Sequence, residues 1–236
     1  TAMLPHNEII EAMLPNHFIL FKPRDIVSGD FYFFKPMGKK MLFIAADCTG
    51  HGVPGGFMSM LGISYLSEIS SQIPNPPANE IINHLREKIK LTLGQTSTDS
   101  TQKDGMDMTV CLIDPDNMQI QFACAFNPLY YIRNNELEVV KADRQPVAVY
   151  FKEAEFTNNI IEVQKGDTFY MFSDGYVDQN GGPNNRKFMS KNFKDLLLDI
   201  HKLPMNEQKE RLAKNIEDWQ GDAMQVDDIL VIGFQL

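Results

Sequence analysis

The 236-residue chain has one tryptophan and three cysteines, Cys48, Cys111 and Cys124, with no C-x-x-C pair among them. Widely spaced cysteines exclude a disulfide framework and a cysteine zinc knuckle; Cys111 and Cys124, set in apolar runs, read as buried, reduced thiols. No apolar run approaches the ~18 residues needed to cross a bilayer. No basic stripe is visible either, and 31 acidic against 22 basic residues leave a net charge of −9, so nucleic acid is excluded as a partner. There is no Walker-type G-x₄-G-K, and no cysteine is followed by arginine at the spacing of the thiol phosphatases. The chain begins at Thr1 rather than methionine. Residues 1–16 therefore read as the end of a connecting or regulatory segment, and 17–236 as one domain without an internal boundary.

What is present is 43% hydrophobic residues, enough for a substantial core, and a pattern of short apolar runs. The organising stretch is 41–56. Met41 to Ala46 suits a buried strand and ends on a carboxylate, Asp47; glycines follow at 50, 52, 55 and 56. A carboxylate at a strand end, with a backbone free to turn after it, suits a metal or a phosphate. Gly50-x-Gly52-x-x-Gly55 also matches the dinucleotide fingerprint formally. That reading needs an acidic residue about 20 positions on at the end of a second strand, whereas Glu68 falls in a helical run.

Strands are expected at 17–21, 30–34, 41–46, 106–113 and 118–124. Leu129 to Ile132 and Leu137 to Val140 should form a hairpin around Asn134-Asn135. Ile160 to Val163 and Thr168 to Phe172 should pair around Lys165-Gly166-Asp167, and 226–234 makes the last strand. Helices are expected at 57–73, after an Asn75-Pro76 cap to Gly94, at 190–202 and at 206–219; 95–103 reads as a loop. Trp219 is assigned to the core. Short turns between strands argue antiparallel sheets, and the placement of the helices lets them cover both outer faces of a two-sheet stack.

Asp30, Asp47, Asp174 and Asp227 (or Asp228) each sit at a strand end beside a glycine, a turn or another carboxylate. All-oxygen ligation suits hard cations, Mg²⁺ or Mn²⁺, and two such ions roughly 3.5–4 Å apart can activate water for phosphoryl displacement. Asp107 is a candidate for a further ion or for fixing its loop. His51 is a candidate for chemistry or for a hydrogen bond within the glycine turn. Arg24 could meet a phosphate with its fork of donors.

Ser28-Gly29-Asp30-Phe31-Tyr32, Asp47 to Gly55, Asp104-Gly105-Met106-Asp107-Met108, Ser173-Asp174-Gly175 and Asp227-Asp228-Ile229 occur in the order seen in metal-dependent PPM-type (type 2C-like) serine/threonine phosphatases. The chain resembles their bacterial sporulation-protein-E and sigma-regulator branch over nearly its whole length. The resemblance implies an α+β, four-layer αββα sandwich: two mostly antiparallel sheets flanked by helix pairs, with two divalent cations, Mn²⁺ or Mg²⁺, between the sheets at one end. By motif match Asp47 bridges both ions, Asp30 and the Cys48 carbonyl hold one, and Asp174 and Asp227 hold the other. Asp228 stands where eukaryotic relatives carry asparagine, and Cys48-Thr49 intervene before Gly50-His51-Gly52.

The activity implied is hydrolysis of a phosphoserine on a STAS-type anti-anti-sigma or similar signalling protein, opposed by an anti-sigma-type kinase. It also implies a cytoplasmic domain governed by an N-terminal sensor or regulatory domain. A catalytically silent module of the same fold is the alternative; it predicts lost metal carboxylates, and all of them are present.

Overall fold

The computed structural model describes residues 7–95 and 103–236. In chain order the elements are α1 (Asn7–Met13), β1 (His17–Lys22), β2 (Phe31–Met37), β3 (Lys40–Cys48), α2 (Gly52–Gln72) and α3 (Ala78–Thr92). These are followed by β4 (Met106–Asp114), β5 (Gln119–Ala125), β6 (Leu129–Arg133), β7 (Glu136–Val140), β8 (Asn159–Glu162) and β9 (Thr168–Phe172). The chain ends with α4 (Gly175–Asp178), β10 (Asn180–Gly181), β11 (Arg186–Lys187), α5 (Ser190–Ile200), α6 (Met205–Gln220) and β12 (Ile229–Gln235).

Two five-stranded sheets form, in the orders β1-β12-β9-β6-β7 and β2-β3-β4-β5-β8. Every strand pairing in them is antiparallel. Alternation along the strands sorts side chains into three apolar layers. Phe34, Phe43, Phe122, Phe169 and Phe234 fill the space between the sheets. Leu42, Ile44 and Val110 turn outward from the second sheet to meet Leu66, Ile69, Ile81 and Leu85 of α2 and α3. Tyr170, Phe172 and Val231 turn outward from the first to meet Phe193, Leu197, Leu212 and Ile216 of α5 and α6. The result is the expected α-β-β-α stack. The first and last strands are neighbours, with His17 opposite Phe234. Within 1–16, α1 places Ile10 against the inter-sheet core, where Leu14 is buried as well.

The structure corrects several details. Ile160 to Val163 and Thr168 to Phe172 do not pair: β8 joins β5 in one sheet and β9 joins β6 and β12 in the other, so 163–167 crosses between the sheets. Asp167 holds that crossing by accepting the backbone N–H of Gln164 at 2.8 Å and an ion pair from Arg133 at 2.6 Å. Helix α2 starts at Gly52, ahead of the expected Phe57. Pro77, not Asn75, occupies the cap of α3, and Asn75 is left-handed (φ 51°). Residues 180–187 contain the short β10–β11 pair. Trp219 is half-buried rather than in the core; it stands edge-on to Phe188 at 5.3 Å and gives its indole N–H to Gln179 O at 3.1 Å. The three cysteines are free and buried, Cys111 and Cys124 as expected. Part of the 95–103 loop lies outside the described residues. A dinucleotide unit is ruled out: β3 lies in an antiparallel sheet and α3, not a strand, follows α2.

Candidate active site

The two sheets bring carboxylates together at one end of the stack. Asp30 immediately precedes β2; Asp47 is the penultimate residue of β3 and lies opposite Asp107 of β4. From the other sheet, Asp174 follows β9 by two residues, and Asp227 and Asp228 precede β12, the strand that pairs with β9. The Asp174 N–H reaches Asp47 Oδ2 at 3.4 Å, which joins the two sets.

Like charges held together out of water disfavour ionisation. Burial, and then the neighbouring Asp47, push Asp30 well above the ordinary carboxylate range, against a hydrogen bond from Ser173. Burial, followed by Asp174 and Asp107, does the same to Asp47. Burial and Asp174 push Asp107 up to about 7. Asp174 is raised by burial and by Asp178 and Asp227, with Lys187 pulling the other way. Cys48 is held as a thiol by burial and the surrounding aspartates, so its backbone carbonyl is the group it can offer a hard cation.

Among the described residues, no three His, Cys, Asp or Glu side chains converge into a finished metal-holding set. The chemistry of the residues nevertheless fits hard cations. Asp30 is 4% exposed, and its Oδ2 is buried without a hydrogen-bond partner among the described residues. A buried charge in that state is costly unless something positive meets it. The surrounding donors are all oxygen, which is the set Mg²⁺ and Mn²⁺ take.

Asp228 is engaged differently from Asp227. Its Oδ1 accepts the Arg24 N–H at 2.7 Å and its Oδ2 the Gly29 N–H at 2.8 Å, so both oxygens hold the loop that leads into Asp30. Asp227 Oδ1 accepts the Asp228 N–H at 2.8 Å, and among the described residues no hydrogen bond reaches its other oxygen. The Arg24 guanidinium donates to Val226 O at 2.8 Å, in the same clamp. His51 sits at the start of α2 with its ring Nδ1 3.1 Å from Asp25 Oδ2. Ser173 had no assigned part in the sequence reading beyond its motif. It accepts the Leu230 N–H at 3.0 Å and stands close enough to Asp30 to favour its charged form, at the junction of β12 and the start of β2. Two glycines are needed for close approach: a Cβ on Gly55 would stand 2.1 Å from Gly50 O, and one on Gly175 1.9 Å from Asp228 O.

A comparison with family models matches residues 37–236 to stage II sporulation protein E (SpoIIE). The chain belongs to that family. Among solved structures it is similar to the SiaA-PP2C domain of Pseudomonas aeruginosa, with 31% identity and a TM-score of 0.89 over 100% of this chain and 92% of that one. It shares its fold with the SpoIIE phosphatase domain and regulatory fragment of Bacillus subtilis (19% identity, TM-score 0.72), covering 93% of this chain and 61% of that one. It also shares the fold of the catalytic domain of the serine/threonine phosphatase PstP in complex with two manganese ions (16%, 0.65; 93% and 96% covered). A comparison with curated proteins returned no match. Family and fold together make this a PP2C-type protein phosphatase domain, in a family whose fold neighbours are solved with divalent cations.

Proposed function

We propose that the domain hydrolyses a protein phosphoserine with two divalent cations, Mn²⁺ or Mg²⁺, seated between the sheet ends. The observation that carries this is the Oδ2 of Asp30, buried and without a hydrogen-bond partner among the described residues, at the end of the stack where both sheets contribute carboxylates. Asp30 and the Cys48 carbonyl would hold one ion, Asp174 and Asp227 the other, and Asp47 both. When bound, such ions act as Lewis acids and supply an activated water at neutral pH. The protein's own part is positioning. Ser173 favours the charged form of Asp30, the Asp174 N–H steadies Asp47, and Asp228 holds the 24–29 loop that leads into Asp30. Asp227 is preferred to Asp228 as the ligand because backbone amides already take both Asp228 oxygens. Asp107, opposite Asp47, would support a further ion or fix its loop.

Family membership supports the rest of the reading: a STAS-type phosphoprotein as substrate, an opposing anti-sigma-type kinase, and control by an N-terminal sensor or regulatory domain that 1–16 would adjoin, in the cytoplasm. The test is hydrolysis of p-nitrophenyl phosphate in EDTA, Mg²⁺ or Mn²⁺ beside Asp47→Asn. Activity that requires metal and falls by several orders of magnitude in the variant is expected. Full activity in Asp47→Asn would overturn the assignment. Mn²⁺ binding by calorimetry without turnover would favour the silent-module alternative.

A further inference from the structure

Five large apolar side chains beside the site face solvent. Val53, Phe57 and Met60 recur at i, i+4 and i+7 along α2 and so share one face; Phe57 is 68% exposed. The loop before Asp30 adds Ile26, fully exposed at 103%, and Val27. This loop lies along the same stretch of α2. Asp25 Oδ2 meets His51, a Cβ on Gly56 would meet Val27 Cγ1 at 2.1 Å, and Ser59 Oγ donates to Ser28 O at 3.0 Å. The apolar collar is thus continuous, and it abuts the site: Ile26 is four residues from Asp30, and Gly29 packs beside the Cys48 and Gly50 carbonyls.

We infer that this collar is the substrate-reading surface, and that the domain selects phosphoserines flanked by apolar side chains. The inference rests on the phosphatase reading. The two cations of the phosphatase reading would offset four of the nine net negative charges and would hold any phosphate alike, so they do not choose among phosphoserines, and the rest of the chain, still acidic, does not draw a phosphoprotein from a distance. Discrimination then has to come from contact, and the contiguous apolar surface at the site's edge is where it is available. A second copy of the chain seated on the same residues would cover the approach to Asp30, which disfavours a permanent dimer there. A transient partner arriving with its phosphate is what the position suits.

The test uses two fluorescein-labelled peptides that carry the non-hydrolysable phosphonomethyl analogue of phosphoserine, one flanked by Leu and Ile and the other by Ser and Asn. Anisotropy with Mn²⁺ present should show the apolar peptide binding at least about tenfold more tightly, a difference of the size expected for burying one or two aliphatic side chains. In Ile26→Ser/Phe57→Ser that preference should fall below about threefold, with p-nitrophenyl phosphate turnover unchanged. Both side chains are exposed, so the double variant should fold, which circular dichroism would verify. Equal binding of the two peptides by the natural sequence, or an undiminished preference in the double variant, overturns the inference. Absence of metal-dependent p-nitrophenyl phosphate hydrolysis by the natural sequence, with the peptide preference present there and lost in the double variant, overturns the phosphatase reading and leaves apolar peptide recognition standing.

Discussion

Replacing Asp30 by asparagine should stabilise the metal-free protein and weaken its response to metal. Asp30 is nearly inaccessible, one of its oxygens has no partner, and the charges nearest it are other carboxylates. Asparagine keeps the shape and removes the charge. The folded-state pKa of Asp30 lies above its unfolded value, so its contribution to stability is present in acid and is lost as pH rises through the folded pKa. At pH 7.5 in EDTA the native carboxylate is therefore a net cost, about 1–3 kcal/mol for a buried group left unsatisfied. For a chain of this size that corresponds to a melting temperature about 2–12 °C higher in Asp30→Asn. Saturating Mn²⁺ should cancel most or all of that advantage, because ligand at about a hundred times its dissociation constant adds about 2.7 kcal/mol to the binding-competent protein. Thermal unfolding followed by circular dichroism, with and without Mn²⁺, reads both effects. A variant that is less stable than the natural sequence in EDTA would show that Asp30 is satisfied within the protein. A variant that gains as much from Mn²⁺ would show that Asp30 is not a ligand.

Asp228→Ala should cost about 2–5 kcal/mol in urea unfolding, since it leaves the Arg24 and Gly29 N–H groups without their acceptor; Asp228→Asn should cost less, because an amide oxygen can still take one of them. Gly175→Ala should fold poorly or melt well below the natural protein, because its Cβ would overlap the Asp228 carbonyl. At Gly38, where nothing lies within 4 Å and only the positive φ is at stake, alanine should cost about 1 kcal/mol. Arg86→Lys should destabilise by about 2 kcal/mol, since lysine cannot reproduce the bonds to Ala154 O and Asn83 Oδ1 while lying over Phe156; an unchanged urea midpoint would refute this.

Much of the stack was legible because its strands are short, alternating and punctuated. The Asn134-Asn135 turn is a clear case, with both residues at positive φ as a two-residue hairpin requires. The β8–β9 error has a physical origin. Period-2 alternation says that a segment is a strand but not which sheet receives it, and the Arg133–Asp167 contact that holds the crossing is invisible from local spacing. The early start of α2 was hidden by Gly52, Pro54, Gly55 and Gly56, a composition that reads as loop. Gly55 and Gly56 are there for close approach to Gly50 and Val27, so tertiary packing overrides propensity. The aspartates stood out at strand ends, but the division of labour between Asp227 and Asp228 depends on amides about 200 residues earlier in the chain. Ser173 was likewise visible only as a member of its motif. Its role depends on Leu230 and Asp30 meeting across the sheets.

The pairing of β1 with β12 has a practical consequence. His17 lies opposite Phe234, while Lys22 lies opposite Ile229, beside the aspartates. β1 thus begins and β12 ends at the edge of that sheet away from the site, and a seven-residue strand at ~3.3 Å per residue puts roughly 20 Å between the two. A fluorophore or affinity tag joined after Leu236 would stand clear of the aspartates, and β1 and β12 would form the mechanical linkage through which a pull on their far ends reached Asp227.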